Sequence, residues 1–125
     1  MMFTCVKGNA YALVATLYTN NITLNNAAAA YFQDVRWVMI GIDHTDKKVA
    51  IKPVAKREIE LKIVPMEQLH KVSIGKGYAR ISNKSVMDEI QSLINDTING
   101  RKFDAFYDER ENLLIIDLMV DLEKG

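Results

Sequence analysis

The sequence predicts an α+β protein, mainly β, in which an internally duplicated strand-helix-β-hairpin unit forms a small pseudo-dimeric barrel with two helices. Three observations predict it. The two halves align without gaps at the front, with Leu24 over Ile81, and again at the back, with Asp43 over Asp108. Turn-forming residues fall at matched places in both halves, and each half carries one helix-forming stretch between its front and its back.

At the front, Ala15-Thr16-Leu17-Tyr18-Thr19-Asn20-Asn21-Ile22-Thr23-Leu24-Asn25 lies over Val72-Ser73-Ile74-Gly75-Lys76-Gly77-Tyr78-Ala79-Arg80-Ile81-Ser82. Each reads as a strand, a polar turn and a second extended piece. Asn20-Asn21 and Gly75-Lys76-Gly77 are different residues for one backbone job, since Asn and Gly tolerate the positive φ of tight turns. The first helix is expected at 26–32, where Asn25 is a natural N-cap and four alanines follow. The second is expected at 83–94, with Val86, Ile90, Leu93 and Ile94 at helical spacing, Ser82 or Ser85 as cap, and Asn95 and Asn99-Gly100 as stops.

At the back, Val38-Met39-Ile40-Gly41-Ile42-Asp43 lies over Phe103-Asp104-Ala105-Phe106-Tyr107-Asp108, and the returning strands are Val49-Ala50-Ile51-Lys52 and Leu114-Ile115-Ile116-Asp117. A β-rich run, an Asp where polarity switches, a short charged loop and another β-branched run read as a hairpin. With a period of two, Val38, Ile40 and Ile42 share one face, as do Phe103, Ala105 and Tyr107; these faces are the expected core. The units fall at 1–54 and 70–125, joined by a linker at 55–69 between and beyond Pro53 and Pro65. In that linker Ile59, Leu61 and Ile63 alternate with Glu60 and Lys62, which predicts a half-exposed strand.

A chain of 125 residues suits one compact domain, because about 100 to 150 residues is the commonest domain size. Its 49% hydrophobic and 26% charged content is that of a globular protein. Cys5 is the lone cysteine, so no internal disulfide can form, as expected in a reducing cytosol. The first eight residues lack the pattern of a secretory signal, and no apolar run reaches the ~18 to 20 residues of a membrane span. The expectation is a soluble, cytoplasmic protein without membrane contact.

Lys plus Arg and Asp plus Glu number 16 each, so the whole chain does not attract nucleic acid by net charge. The distribution is uneven. Ten basic residues against three acidic ones lie between Lys47 and Lys84, whereas 104–125 holds seven acids and two bases. The first stretch suits a phosphate-facing surface; equally, two solvated faces of opposite sign attract each other.

The segments Tyr78-Ala79-Arg80-Ile81-Ser82-Asn83 and Val49-Ala50-Ile51-Lys52-Pro53 resemble the Gly-Arg-Ile-x-Ile-Pro turn and the apolar-run-then-proline ending of the AbrB-like (SpoVT-AbrB) swapped-hairpin family. The resemblance covers about 13–119 and implies two interlocked units in one β-barrel, with a role in bacterial transcription regulation or as an antitoxin. The chain departs from the pattern in lacking proline after both front strands, in Ala79 for Gly, and in Thr23 at the arginine position of the first unit. Only Arg80 can inherit the arginine's role of gripping a phosphate or guanine edge.

The expected function is therefore that of a small bacterial or phage DNA-binding regulator without catalysis, presenting Arg80, Lys76, Lys84, Lys47, Lys48 and Lys52 to double-stranded DNA. The alternative is a protein-interaction or antitoxin-like module that docks a partner protein, or a second copy, through its acidic tail at 115–125 or its basic seam. No cofactor or metal is expected: His44 and His70 are 26 positions apart without zinc-site spacing, and Gly75-Lys76-Gly77 lacks the full phosphate-loop pattern. Asp43 and Asp108 are better read as turn caps than as paired catalytic acids.

Overall fold

The computed structural model describes residues 12–122, so Cys5, the first residues of the chain and the last three lie outside the described part. Eight strands are present: β1 Leu13–Leu17, β2 Asn21–Leu24, β3 Trp37–Asp43, β4 Lys48–Val54, β5 His70–Gly75, β6 Tyr78–Ser82, β7 Arg101–Asp108 and β8 Leu113–Asp121. They close into an antiparallel barrel in the order β1-β2-β6-β5-β3-β4-β8-β7. Three helices accompany them: α1 Asn26–Ala29, extended by a 3-10 turn at Ala30–Phe32, α2 Lys56–Glu60 and α3 Lys84–Ile94. Among the described residues no helix is long and apolar enough to cross a membrane.

Hairpin β1–β2 is flanked by β7 and β6, and hairpin β3–β4 by β5 and β8, so the hairpins of the first half never touch each other in the sheet. Within the hairpins the pairing registers match the alignment of the halves. Ala15 pairs with Leu24 and Val72 with Ile81, both shifted by 57; Asp43 pairs with Lys48 and Asp108 with Leu113, both shifted by 65. Inward-facing apolar residues fill the barrel because side chains alternate along a strand. Leu17, Leu24, Val38, Ile81, Phe103 and Ile116 are among those buried, and Ile40, Ile42 and Tyr107 pack against them, as the period-two reading expected. Ala28, Phe32, Met87 and Ile90 from α1, its 3-10 turn and α3 complete the core. No charged or polar side chain is buried among the described residues.

The hairpin turns also match. The carboxylate of Asp43 accepts from the N–H groups of Thr45 and Asp46, both at 2.9 Å, and that of Asp108 from those of Arg110 and Glu111 at 3.0 and 3.1 Å. Lys47 and Asn112, 65 apart, both take left-handed backbone with φ of 53° and 58°. Both aspartates are turn caps, as expected.

Two expectations are corrected. The alternating Ile59, Leu61 and Ile63 do not form a strand; Lys56–Glu60 is a short helix, so among the described residues the α-helices number three rather than two. Instead Glu58 accepts from the Ala55 N–H at 3.3 Å, the helix turns, and Leu61 and Ile63 point to solvent. The cap of α3 is Asn83 rather than Ser82 or Ser85: its Oδ1 accepts from the Val86 N–H at 3.0 Å. Asn95, with φ of 53°, ends that helix.

Candidate nucleic-acid interface

Arg80 lies in mid-strand on β6, three residues beyond the Lys76-Gly77 turn, and its side chain faces outward between inward-facing Ala79 and Ile81. Gly77 supplies the φ of 85° that the turn needs. Gly75 has a different task. The Tyr78 ring lies directly on it, and a Cβ there would fall onto the ring. Tyr78 so held is a platform for Arg80, whose guanidinium carbon is 5.2 Å from the ring centroid, a cation–π distance. The glycine, the tyrosine and the arginine act in series to fix where the guanidinium stands.

Arg80 is also the centre of a row across neighbouring strands. Its register partners are Thr23 on β2 and Ser73 on β5; Thr23 pairs in turn with Thr16 on β1, and Thr16 with Lys102 on β7. Residues opposite each other across strands face the same side. The outer surface of five strands thus carries Lys102, Thr16, Thr23, Arg80 and Ser73 in a line without an acid. Thr23 Oγ1 donates to Asn21 Oδ1 at 2.7 Å, which fixes that hydroxyl. Three inter-strand steps separate Lys102 from Arg80, about 14 Å along the surface.

The six cations singled out from the sequence do not share one surface. Lys76, in the β5–β6 turn, and Arg80 belong to this face. Lys84 stands at the start of α3, where its Nζ is 3.0 Å from the Asp88 carboxylate. Lys48 and Lys52 are on β4, three strands from β6 by one way around the barrel and five by the other, and Lys47 is in the turn before β4. Lys48 is half-buried, pairs in register with Asp43 and Asp117, and reaches over the Phe106 ring at 5.8 Å. Charges of both signs mix there.

Lys102, Thr16, Thr23 and Ser73 were not singled out from the sequence. Ser73 and Thr23 had a signal, the outward phase of a period-two strand. Lys102 had none, because its neighbour in the sheet is Thr16, 86 positions away.

The histidines stand apart. His44 Nε2 is 3.2 Å from Glu89 on α3, and His70 Nδ1 is 3.0 Å from Asn83 Nδ2. Burial lowers the His70 pKa below its ordinary 6.5. Among the described residues no group of His, Cys, Asp and Glu is placed to hold a metal. Comparison with protein-family profiles, curated proteins and solved structures returns no match.

Proposed function

We propose that the chain is a fused pseudo-dimer of the AbrB-like type that binds double-stranded DNA through the outer face of β7, β1, β2, β6 and β5, with Arg80 at its centre. The observation that carries this reading is the acid-free row from Lys102 to Ser73 with its pinned arginine. In a chain of zero net charge, a row of hydroxyls between two cations, with no carboxylate on the row itself, suits phosphate contact.

The pseudo-dimer is supported by the register. Thr23 and Arg80 are 57 apart and pair with each other; Ala50 and Ile115 are 65 apart and also pair with each other. Those are the positions where a two-fold axis would cross the sheet in a true homodimer. The row is therefore centred on that axis but asymmetric, with arginine on one side and threonine on the other.

Anisotropy of a fluorescent duplex at 50 and 200 mM salt tests it. Binding should weaken steeply with salt. Arg80→Ala should lower affinity about tenfold, as for a charged contact of ~1 to 3 kcal/mol, and Lys102→Ala should reduce the salt slope by about one. Lys52→Ala, on the far side of the barrel, should change nothing. Absence of binding at 50 mM salt, or equal losses from Lys52→Ala and Arg80→Ala, would sink the reading.

A further inference from the structure

The barrel closes twice between strands of different halves, at β1·β7 and at β3·β5, and the second closure is incomplete. Five residue pairs join β1 to β7, but only Trp37 with Lys71 and Val38 with His70 join β3 to β5. The last rung is the Val72 N–H donating to the Arg36 carbonyl at 2.9 Å. Since alternate residues of a strand direct their backbone groups to the same neighbour, the next such residue on β5 is Ile74. No strand stands opposite it. Its counterpart on β1, Leu17, is paired with Arg101, accepts from the Gly100 N–H at 2.8 Å and is fully buried, whereas Ile74 is 42% exposed.

The arginines at the two closures differ in the same sense. Arg101 holds two carboxylates: Nε and Nη2 reach Asp121 at 2.9 and 2.8 Å, and Nη1 reaches Asp96 at 3.0 Å. Arg36, 65 positions earlier, has no carboxylate partner among the described residues. It stands between two clefts of about 540 and 420 Å³, the first lined by Val35, Lys71, Val72 and Ile74 and the second by Trp37, Lys56 and Ile59. Asp34 and Glu60 are the acids of these clefts, and Glu60 is engaged by Lys56 at 3.9 Å.

We infer that the open β3·β5 closure is a docking groove for an extended acidic peptide, which adds a short strand to the β5 edge at Ile74 and gives a carboxylate to Arg36. Strand addition uses an edge with unpaired backbone groups for affinity and side-chain pockets for selectivity. The groove provides both. The Ile74 N–H and carbonyl take the main chain, Val35, Val72 and Ile74 take an apolar side chain, and Arg36 with Lys71 takes the acid on the next outward position. Charge favours this occupant, because Arg36 and Lys71 outnumber Asp34 in the cleft beside Ile74.

The test uses a fluorescein-labelled peptide of sequence Val-Glu-Val-Glu-Val-Glu, the same peptide with Lys for Glu, and a form N-methylated at alternate amides. The Glu peptide should bind and slow hydrogen exchange at the Ile74 amide. The Lys and N-methylated peptides, and the Glu peptide with Arg36→Gln, should each bind about tenfold more weakly, as for loss of a charged hydrogen bond. Because N-methylation alters only the ligand, its effect cannot come from misfolding of the protein. Equal binding of the Glu and Lys peptides, an unchanged exchange rate at Ile74, or no binding at millimolar peptide would overturn the proposal. The duplex measurements on Arg80 decide the DNA reading separately, since Arg36 is not on that row.

Discussion

The closures β1·β7 and β3·β5 are made by strands at corresponding places in the two halves, yet one is long and filled and the other is short and open. At the first, Phe103 faces inward beside Ala15, and Arg101 ties the start of β7 to Asp121 near the end of β8. At the second, the residue 65 positions before Phe103 is Val38, and the Arg36 side chain has no ion-pair partner among the described residues. The difference teaches that backbone pairing by itself does not complete this barrel. Where a large side chain fills the interior and a cation locks two strand ends together, the ladder runs five residues; where both are missing, the chain at 33–36 leaves β5 after two.

The largest expected effect tests that view in the core. Phe103→Ala removes a fully buried aromatic ring from the filled closure and should cost about 3 to 5 kcal/mol in urea denaturation. Val38→Ala, at the corresponding buried position of the open closure, should cost only ~1.5 to 3 kcal/mol. Equal losses would mean that the two closures share the load and that the difference in ladder length is incidental.

Next in size is the clamp. Arg101 is 22% exposed and Asp121 10% in their side chains, so Arg101→Gln leaves a largely enclosed carboxylate short of its main partner. A loss of about 2 kcal/mol is expected, whereas Arg36→Gln should stay within about 0.5 kcal/mol, since no ion pair is broken. If Arg36→Gln proves as costly as Arg101→Gln, Arg36 is a structural residue and the groove loses its anchor.

The four hairpins and the helices within 26–32 and 83–94 were legible in the sequence because their signals are local. Asp43 and Asp108 mark the turns at positions where only a short acceptor reaches the next N–H groups, and Asn25 precedes its alanines as a cap. Local signals misled in two places. Ile59, Leu61 and Ile63 alternate like a strand, but the N–H groups of Glu58, Ile59 and Leu61 bond back to the carbonyls of Ala55 and Arg57, so the segment coils instead. Ser82 is a good cap residue whose backbone is still paired with Asn21 in β6, so the role passes to Asn83. Of the candidate site, Arg80 was singled out by the family-like pattern of its turn and by the basic stretch around it. Lys102 was not, and neither was the separation of Lys47, Lys48 and Lys52 from Arg80, because strand order is decided by pairings between residues far apart in the chain. The open closure was invisible for the same reason.

The caps tie the same comparison to the starts of β1 and β5. Asn25 Oδ1 accepts from the N–H of Val14 and of Ala28, both at 3.1 Å, while its Nδ2 donates to the Ala12 carbonyl at 2.8 Å. Asn83 makes one cap bond and one contact to the His70 ring. Asn25→Ala should therefore cost about 2 kcal/mol, the upper end for a cap, and Asn83→Ala about 1 kcal/mol. Thermal melts would show the order; a reversal would place the weaker anchor at β1.

The smallest effect concerns pH and is confined to the open closure. His70 begins β5, opposite Val38, and is replaced by Leu13 at the corresponding position of β1. Its Nδ1 accepts from Asn83 Nδ2, which requires that nitrogen to be unprotonated, and burial holds the ring pKa below 6.5. The folded chain therefore binds a proton at this site less readily than the unfolded chain. Above pH 6.5 the ring is neutral in both states and imposes no penalty. As pH falls through 6.5 the unfolded state takes up the proton first, so stability declines until the folded ring is protonated as well. Between pH 7.5 and 5.5, amide exchange at Val72 and Ile74, corrected for its intrinsic pH dependence, should quicken while that at Ala15 and Leu17 holds steady. His70→Leu should remove the difference. If β1 loosens in step with β5, the pH effect acts on the barrel as a whole, and the open closure is not a separate unit of local unfolding.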